Sequence, residues 1–479
     1  MDRRAFLARG AAVAGSTVVA SEALTRLSNR MALADMRANG RSGYGPPAPM
    51  PDQRGRVVLA LPAGFSYVTF GDIGSPLSDG TPTPLALDGM AAFRGPHGTV
   101  RLIRNHEDRN TAGAGSLKPR AGAYDPLAGG GTTTLDYDPR RRRLVRSFIS
   151  LDGTTINCAG GFGLRERSWL TGEETIAGQT RGFAQPHGYL FEVPLDRDAH
   201  ESPHSEPLRA MGRFAHEAAA TDERTGIVYE TEDPGSGRGA GFYRFLPRDP
   251  HRLSRGGTLQ ILGIRGAPQY DAREGQEPGR RLPVTWIDVP EPDPEYANDD
   301  DPRGTFQQGR RLGAAMFNRL EGCWYTPGSV FFVSTSGGDK KSLDPPNADG
   351  YREGYGQVWE YRTRSRQLVL HYESPGGEVL DSPDNLTVTP RGGLMLCEDD
   401  ASEADAADPN RVIGLTPRGE AFTFAENVFS ESELAGVCFS PDGETMFVNL
   451  YGASTGTPVE HADKGMTCAI TGPWRKGPL

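Results

Sequence analysis

One layout of residues recurs six times along the chain, and it limits the possible folds more than any other feature. Each copy begins at a carboxylate, cysteine or glycine, passes through a short strand and a glycine- or proline-containing turn, and ends in a second apolar strand. The copies open near residues 89, 158, 217, 321, 384 and 436. Because each hairpin is too small to bury its own apolar face, the repeats predict small sheets stacked radially. We therefore predict an all-β chain that forms a six-bladed β-propeller with long surface loops between blades.

The residue that opens each hairpin is expected to lie close to the residues that close it, because the turn is at the other end. Such pairs are Cys158 with Glu173 or Glu174, Glu217 with Glu232, and Asp384 with Asp399. If these ends face the propeller axis, the carboxylates and the cysteine gather at one channel mouth. Adjacent strand residues point to opposite sides, so the sequence leaves open which of Glu173 and Glu174 faces the axis.

Residues 1–34 have the pattern of a twin-arginine signal peptide. Arg3 and Arg4 precede an apolar run, Ala11 to Ala20, that is too short to span a bilayer. A flexible basic N-terminus is the alternative. We predict export by the twin-arginine translocase to the periplasm or the cell exterior, an arm of low order at 35–56, and a single propeller domain at 57–479. Because this route exports folded proteins, it also favours a metal or cofactor site.

Charge and hydropathy restrict the partners of the exported chain. The 479 residues have a net charge of −10, and removal of the arginine-rich leader makes the remainder more acidic, near −13. Such a surface disfavours nucleic acid and attracts divalent cations. No other apolar run approaches membrane length, so we expect a mature chain that does not span a membrane. We also predict a monomer. A stretch at 264–315, rich in Pro, Asp, Glu and Arg, predicts a surface excursion between two blades.

The predicted channel mouth has the composition of a mixed metal site. Several carboxylates directed at one axis repel each other unless cations intervene. Carboxylate oxygens suit calcium, whereas a thiolate suits iron or zinc, so we expect a transition metal at Cys158. A disulfide between Cys158 and Cys323 is the alternative. Arg319 has the chemistry to grip a phosphate or carboxylate with two hydrogen bonds, or to pair with a neighbouring glutamate such as Glu321.

Several motifs resemble the PhoX-type alkaline phosphatases, in a compact branch. The similarity extends from the twin-arginine leader almost to the end of the chain. It is carried by Asn105-His106-Glu107, Asn157-Cys158-Ala159-Gly160-Gly161, Leu170-Thr171-Gly172-Glu173-Glu174, His216-Glu217-Ala218, Arg319-Leu320-Glu321, Asp381-Ser382-Pro383-Asp384-Asn385-Leu386 and Ala469-Ile470-Thr471-Gly472-Pro473-Trp474. The chain departs from compact relatives by inserting residues 452–464 where they have a short turn.

The resemblance implies an exported propeller that hydrolyses small-molecule phosphate esters with a metal-bound oxygen as the nucleophile. Members hold two Fe³⁺ ions bridged by an oxo group, with three calcium ions nearby. By resemblance, the iron ligands are Cys158, Glu217, Glu321 and one of Glu173 and Glu174, while Arg319 contacts the phosphoryl group. The calcium candidates are Glu107, Glu232, Glu398 and Asp399. Two alternatives remain: a calcium-dependent propeller lactonase or esterase, and a propeller that binds a partner without catalysis.

Overall fold

A computed structural model describes residues 43–195, 206–296, 301–339, 341, 346–347, 349–399, 409–455 and 465–479. All structural statements below concern these residues, which belong to one compact unit. The predicted signal peptide lies outside them, as do residues 35–42 of the predicted arm and most of the insertion at 452–464. No helix in the described ranges is both long enough and apolar enough to cross a bilayer.

Antiparallel strands form six radial blades, which confirms the predicted β-propeller. Three strands precede the first complete blade: β1 (Pro47–Pro51), β2 (Val57–Pro62) and β3 (Ser66–Phe70). Blade 1 contains β4 (Leu87–Arg94), β5 (Val100–His106), β6 (Gly130–Asp138) and β7 (Arg143–Thr154). Blade 2 contains β8 (Asn157–Phe162), β9 (Ser168–Glu173) and β10 (Leu190–Pro194). Blade 3 contains β11 (His216–Thr221), β12 (Val228–Glu232), β13 (Phe242–Pro247) and β14 (Gly257–Ile264).

The remaining elements complete the ring. Between blades 3 and 4 lie β15 (Arg281–Asp288) and the helix α1 (Gly304–Arg311). Blade 4 contains β16 (Leu320–Thr326), β17 (Ser329–Ser334), β18 (Gln357–Arg362) and β19 (Gln367–Glu373). Blade 5 contains β20 (Pro383–Val388), β21 (Leu394–Glu398), β22 (Arg411–Leu415) and β23 (Ala421–Asn427). Blade 6 contains β24 (Leu434–Phe439), β25 (Thr445–Leu450) and β26 (Met466–Thr471).

The N-terminal strands close the propeller. Strand β3 pairs antiparallel with β26 and supplies the fourth strand of blade 6, while β2 and β1 extend the outer edge of blade 5. The expectation of low order at 35–56 is therefore wrong for residues 47–51, which form β1. Its prolines are tolerated because β1 pairs on one side only, and an edge strand can lack N–H groups on the other. The Tyr67 hydroxyl also donates to the Met50 carbonyl at 2.8 Å.

The excursion at 264–315 lies between blades 3 and 4, as predicted, and part of it is ordered as a strand. Strand β15 pairs with β14 on one side and with β19 on the other, so it joins the outermost strands of the two blades into one sheet. Phe306 of α1 packs into the core of blade 3. The excursion thus stabilises the outer wall of the propeller.

The hydrophobic core is divided into layers between neighbouring blades. Between blades 3 and 4, for example, Phe242 stacks on Phe332 with ring centroids 4.1 Å apart, and Trp359 is fully buried beside them. Complete burial of one such ring stabilises the fold by about 2–3 kcal/mol. Because all six blades are held in this way, their inner strands converge on one axis at fixed positions.

Candidate metal centre

A β-bulge interrupts the innermost strand of every blade. The pairing between the first and second strands skips two residues in each case, at 88–89, 158–159, 217–218, 321–322, 384–385 and 436–437. The first residue of each bulge is Asp88, Cys158, Glu217, Glu321, Asp384 or Gly436. A bulge re-aims a side chain and is common beside functional sites. Five of the six blades therefore present a potential metal ligand at the same structural position.

A second set of equivalent residues follows the second strand of each blade. Their backbone N–H groups donate to a carbonyl just ahead of the bulge, at 2.9–3.2 Å. The pairs are Glu107 with Ala86, Glu174 with Ile156, Asp233 with Ala215, Thr335 with Arg319, Asp399 with Ser382, and Tyr451 with Glu433. This sixfold hydrogen bond holds the two ends of each hairpin together, as the repeat layout requires.

The two sets of residues form four groups of ligand atoms. Within each group the atoms lie within 4.8 Å of one another. The groups are Asp88, Glu107 and Cys158; Cys158, Glu174 and Glu217; Glu217, Glu321 and Asp384; and Asp384, Asp399 and Glu433. Consecutive groups share Cys158, Glu217 or Asp384, so the ligands form one continuous series. No other such group of three occurs in the described part of the chain.

The electrostatics of this series favour bound cations. Burial, followed by repulsion from Glu321 and Asp384, raises the pKa of Glu217 well above its ordinary value. Burial and repulsion from Asp399 raise the pKa of Asp384 to about 8. Burial and the charge of Asp88 likewise raise the pKa of the Cys158 thiol, which donates to Asp88 Oδ2 at 3.3 Å. Multivalent cations would relieve both the desolvation and the repulsion.

A second observation also indicates that these residues are suited to metal ions. Both carboxylate oxygens of Glu217 and Oδ1 of Asp88 are buried and have no hydrogen-bond partner. A buried carboxylate without donors costs several kcal/mol unless it is protonated or bound to a cation. Glu217 belongs to two neighbouring groups, so its two oxygens are suited to bridging two cations.

Arg319 lies beside the series. It immediately precedes β16 and adopts a left-handed backbone conformation with φ of 44°, which costs a non-glycine residue about 1–2 kcal/mol. Its Nε donates to Asp233 Oδ2 at 3.0 Å, and its Nη2 lies 3.1 Å from Glu321 Oε1. The ion pair with Glu321 that sequence analysis left as an alternative is therefore present. Its side chain keeps 26% of its surface exposed.

Seven of the ten predicted site residues lie in or beside the series. They are Arg319, Cys158, Glu217, Glu321, Glu107, Asp399 and Glu174, and it is Glu174 rather than Glu173 that joins the series. Their roles as ligands stay predictions. The five cysteines are free, so the alternative of a Cys158–Cys323 disulfide is wrong.

Glu173, Glu232 and Glu398 are not brought into any of the four groups. Each is the last residue of a second strand, one position before Glu174, Asp233 or Asp399, and strand alternation turns it away from that neighbour. Glu174 and Asp399 belong to the series, whereas Asp233 pairs with Arg319 beside it. Glu173 accepts hydrogen bonds from His187 and from three backbone N–H groups. Glu232 accepts from Gly241 N–H and the Tyr243 hydroxyl. Glu398 forms two bonds of 2.6 Å with Arg411.

The predicted site residues leave out other members and neighbours of the series. Asp88 and Asp384 open their hairpins exactly as Cys158 does, and alignment of the six copies would have nominated both. The same alignment places Asp233 level with Glu174 and Asp399. Glu433 and Arg109 lie in loops whose sequences do not recur among the six copies, so the alignment would not have indicated them. Arg109 Nη2 contacts Glu107 and lies 2.7 Å from Glu174 Oε2.

Comparison with known proteins agrees with this geometry. The sequence profile of the family described as Alkaline phosphatase PhoX matches residues 42–454. The fold is similar to Pseudomonas fluorescens PhoX in complex with vanadate, a transition state analogue, with a TM-score of 0.63, 19% identity, and coverage of 91% of this chain and 98% of that one.

Two further solved structures are more distant. They are a luciferin-regenerating enzyme, with 10% identity, a TM-score of 0.42 and coverage of 81% and 92%, and the calcium-binding protein regucalcin from Agrobacterium tumefaciens, with 9% identity, a TM-score of 0.35 and coverage of 85% and 96%. A search of curated proteins by sequence found no match.

Proposed function

Since the chain belongs to the PhoX alkaline phosphatase family, we propose that its channel mouth binds iron through Cys158 and calcium through carboxylates, and hydrolyses small phosphate esters. Membership makes the chain a metal-dependent phosphatase, and its acidic groups are suited to metal ions. We propose the identity of the cations, the ligands of each cation and the role of Arg319.

The assignment of ligands to the cations rests on Glu217. Its carboxylate is shared by the group with Cys158 and Glu174 and by the group with Glu321 and Asp384, and both its oxygens lack a protein donor. Cys158 belongs to two groups, and we assign iron to the one that also contains Glu217, because a thiolate is a poor ligand for calcium and Glu217 links this group to the next. We assign the adjoining group to a second iron. The two outer groups consist mainly of carboxylates and suit calcium.

The protein residues would act mainly by binding and orienting the ester. When bound, the metal ions supply Lewis acidity and a nucleophile at neutral pH. Arg319 is held by Asp233 and Glu321, so its remaining N–H groups are pre-oriented for the equatorial oxygens of the phosphoryl group. The complex of Pseudomonas fluorescens PhoX with vanadate, a transition state analogue, supports an anion site in this fold.

Elemental analysis with two variants tests the proposal. We expect Cys158→Ala to lose iron and turnover, because the thiolate is the ligand that distinguishes iron from calcium. Cys438→Ala is the matched control, since Cys438 is equally buried but lies in a core layer of blade 6. It should retain iron.

Arg319→Lys should keep the metals and lower the turnover of a generic phosphate ester about 100-fold, the usual effect of losing one oriented donor to a transition state. Iron retained in Cys158→Ala would reject the ligand assignment. Normal turnover in Arg319→Lys would reject the role of the guanidinium. Calcium without iron in active wild-type protein would favour the lactonase-like alternative.

Export is part of the proposal. The twin-arginine pattern at Arg3 and Arg4 supports delivery of the folded, metal-loaded protein to the periplasm or the cell exterior. Replacement of both arginines by lysine should leave the phosphatase in the cytoplasm, as fractionation of the cells would show.

A further inference from the structure

We propose that Arg109 binds a second anionic group of the substrate, so that the enzyme favours phosphate esters whose leaving group carries a carboxylate or another phosphate. The inference rests on the proposed phosphatase function and names the class of ester that this mouth selects. It concerns a residue in the loop after β5, outside the motifs that carry the family resemblance.

Arg109 is anchored but retains donors. Its Nη2 contacts both Glu107 Oε1 and Glu174 Oε2, the latter at 2.7 Å. Its Nε and Nη1 have no partner among the described residues, so three of the five guanidinium N–H groups remain available. The backbone N–H of Arg109 donates to the Ser454 carbonyl at 3.1 Å, which fixes the start of the side chain. Nothing in these contacts uses up the capacity of the guanidinium to bind an anion.

Arg109 and Arg319 approach the ligand series from different groups. Arg109 contacts Glu174, which shares a group with Glu217, whereas Arg319 contacts Glu321, which shares the next group with Glu217. Glu217 thus lies between the carboxylates that hold the two arginines. We infer that the leaving group of an ester whose phosphoryl group lies at Arg319 extends toward Arg109.

Exposure distinguishes the two arginines. The Arg109 side chain keeps 45% of its surface exposed, against 26% for Arg319, while Glu107 and Glu174 keep 4% and 12%. Arg109 is therefore the outer cation of the pair. An anionic group on the leaving group gains binding energy that a neutral group lacks only where a cation lies beside it. Arg109 supplies that cation, with geometry suited to a carboxylate or phosphate.

Two matched esters test the inference on the metal-loaded enzyme. Phosphoglycerate and glycerol phosphate differ in one carboxylate on the leaving group. We expect Arg109→Gln to lower the ratio of kcat/KM for phosphoglycerate to that for glycerol phosphate by about tenfold, the effect of one charge-assisted hydrogen bond. Arg54→Gln is the matched control, because Arg54 is 44% exposed and its side chain contacts Asp72 at 2.7 Å and the Thr69 carbonyl rather than a member of the series. It should leave the ratio unchanged.

A binding measurement separates this inference from the proposed function. Phosphonoacetate and ethylphosphonate cannot be hydrolysed as esters, and their dissociation constants can be measured by calorimetry whether or not the enzyme turns over. Arg109→Gln should weaken phosphonoacetate about tenfold relative to ethylphosphonate. Equal weakening of both, or of neither, would overturn the role of Arg109. Absence of wild-type turnover with normal phosphonate selectivity would reject the phosphatase function alone. Both measurements compare Arg109→Gln and wild-type protein of the same metal content, as established by elemental analysis.

Discussion

The buried His187 makes a prediction about stability whose size follows from its contacts. Its imidazole lies between two carboxylates, with Nδ1 2.6 Å from Glu173 Oε1 and Nε2 3.3 Å from Asp125 Oδ2, and all three side chains are fully buried. Burial opposes the charged ring, but attraction to Glu173 and hydrogen bonds to Asp125 and Glu173 outweigh it and raise the pKa of His187 to about 9. The substitution His187→Gln removes this charged imidazole and therefore tests its contribution to stability.

The sign of the pH dependence follows from proton binding. An unfolded histidine has a pKa of 6.5, so between pH 6.5 and about 9 the folded protein holds a proton that the unfolded chain has released. The stabilisation from His187 is therefore complete below pH 6.5 and is lost as pH rises through 9. At about 1.4 kcal/mol per pKa unit, the difference amounts to about 3 kcal/mol in the free energy of unfolding.

Urea denaturation of wild type and His187→Gln at pH 6 and at pH 9.5, with calcium saturating in both, measures this difference. We expect the variant to be less stable at pH 6, and the gap in free energy to narrow by about 3 kcal/mol at pH 9.5. His97→Gln is the control, because His97 is exposed in the turn between β4 and β5. A gap that stays constant or widens with pH would refute the charged triad.

Three further predictions concern the ligand series and its supports. Glu398→Gln should lower the free energy of unfolding by about 3 kcal/mol while metal content stays normal, because it breaks a buried pair with Arg411 and removes no proposed ligand; loss of metal would contradict this. Metal-stripped protein should melt at progressively lower temperature from pH 5 to pH 9, since the raised pKa values of Glu217 and Asp384 favour the folded state only while these groups are protonated. Added calcium should reverse this decrease in melting temperature. A melting temperature of the metal-stripped protein that rises with pH would contradict the prediction. Gly436→Ala should destabilise by about 2 kcal/mol or more, because Gly436 has φ of 63° and an added Cβ would lie 2.5 Å from the Asp88 carbonyl; unchanged melting in calorimetry would exclude this strain.

The repeat layout was sufficient to predict the fold, because its period reflects the packing unit. A hairpin that cannot bury its own face must stack, so the six opening positions coincide with the innermost strands β4, β8, β11, β16, β20 and β24. The closure by β3 could not be predicted, because a single strand without a hairpin partner carries no repeat. The strand β1 was missed for a related reason: its three prolines disfavour a strand in the sequence, and only one-sided pairing makes them acceptable.

The candidate site was predictable to within one residue along each second strand. Each closing pair, Glu173-Glu174, Glu232-Asp233 or Glu398-Asp399, contains two acids. Strand alternation turns the second member toward the ligand series, which Glu174 and Asp399 join and beside which Asp233 pairs with Arg319, and it turns the first member the other way. Composition cannot decide between adjacent carboxylates. Which of the two faces the series is set by the hydrogen bond that recurs in all six blades, donated by the backbone N–H of the second residue of the pair, for example from Glu174 N–H to the Ile156 carbonyl at 2.9 Å. That bond depends on tertiary register and has no signature in a single sequence.

The sixth blade explains why a nearly sixfold scaffold produces an asymmetric site. At the bulge position where other blades have Asp88, Cys158, Glu217, Glu321 or Asp384, blade 6 has Gly436, whose N–H donates to Asn385 Oδ1. A side chain there would collide with the Asp88 carbonyl and with Asn449 Nδ2 at 2.9 Å. The missing ligand is replaced from a different position by Glu433, which joins Asp384 and Asp399. The thiolate and the glycine therefore distinguish two of six otherwise equivalent positions. A ring of identical carboxylates would offer every cation the same ligands, whereas Cys158 and Gly436 make neighbouring groups differ in their ligand atoms.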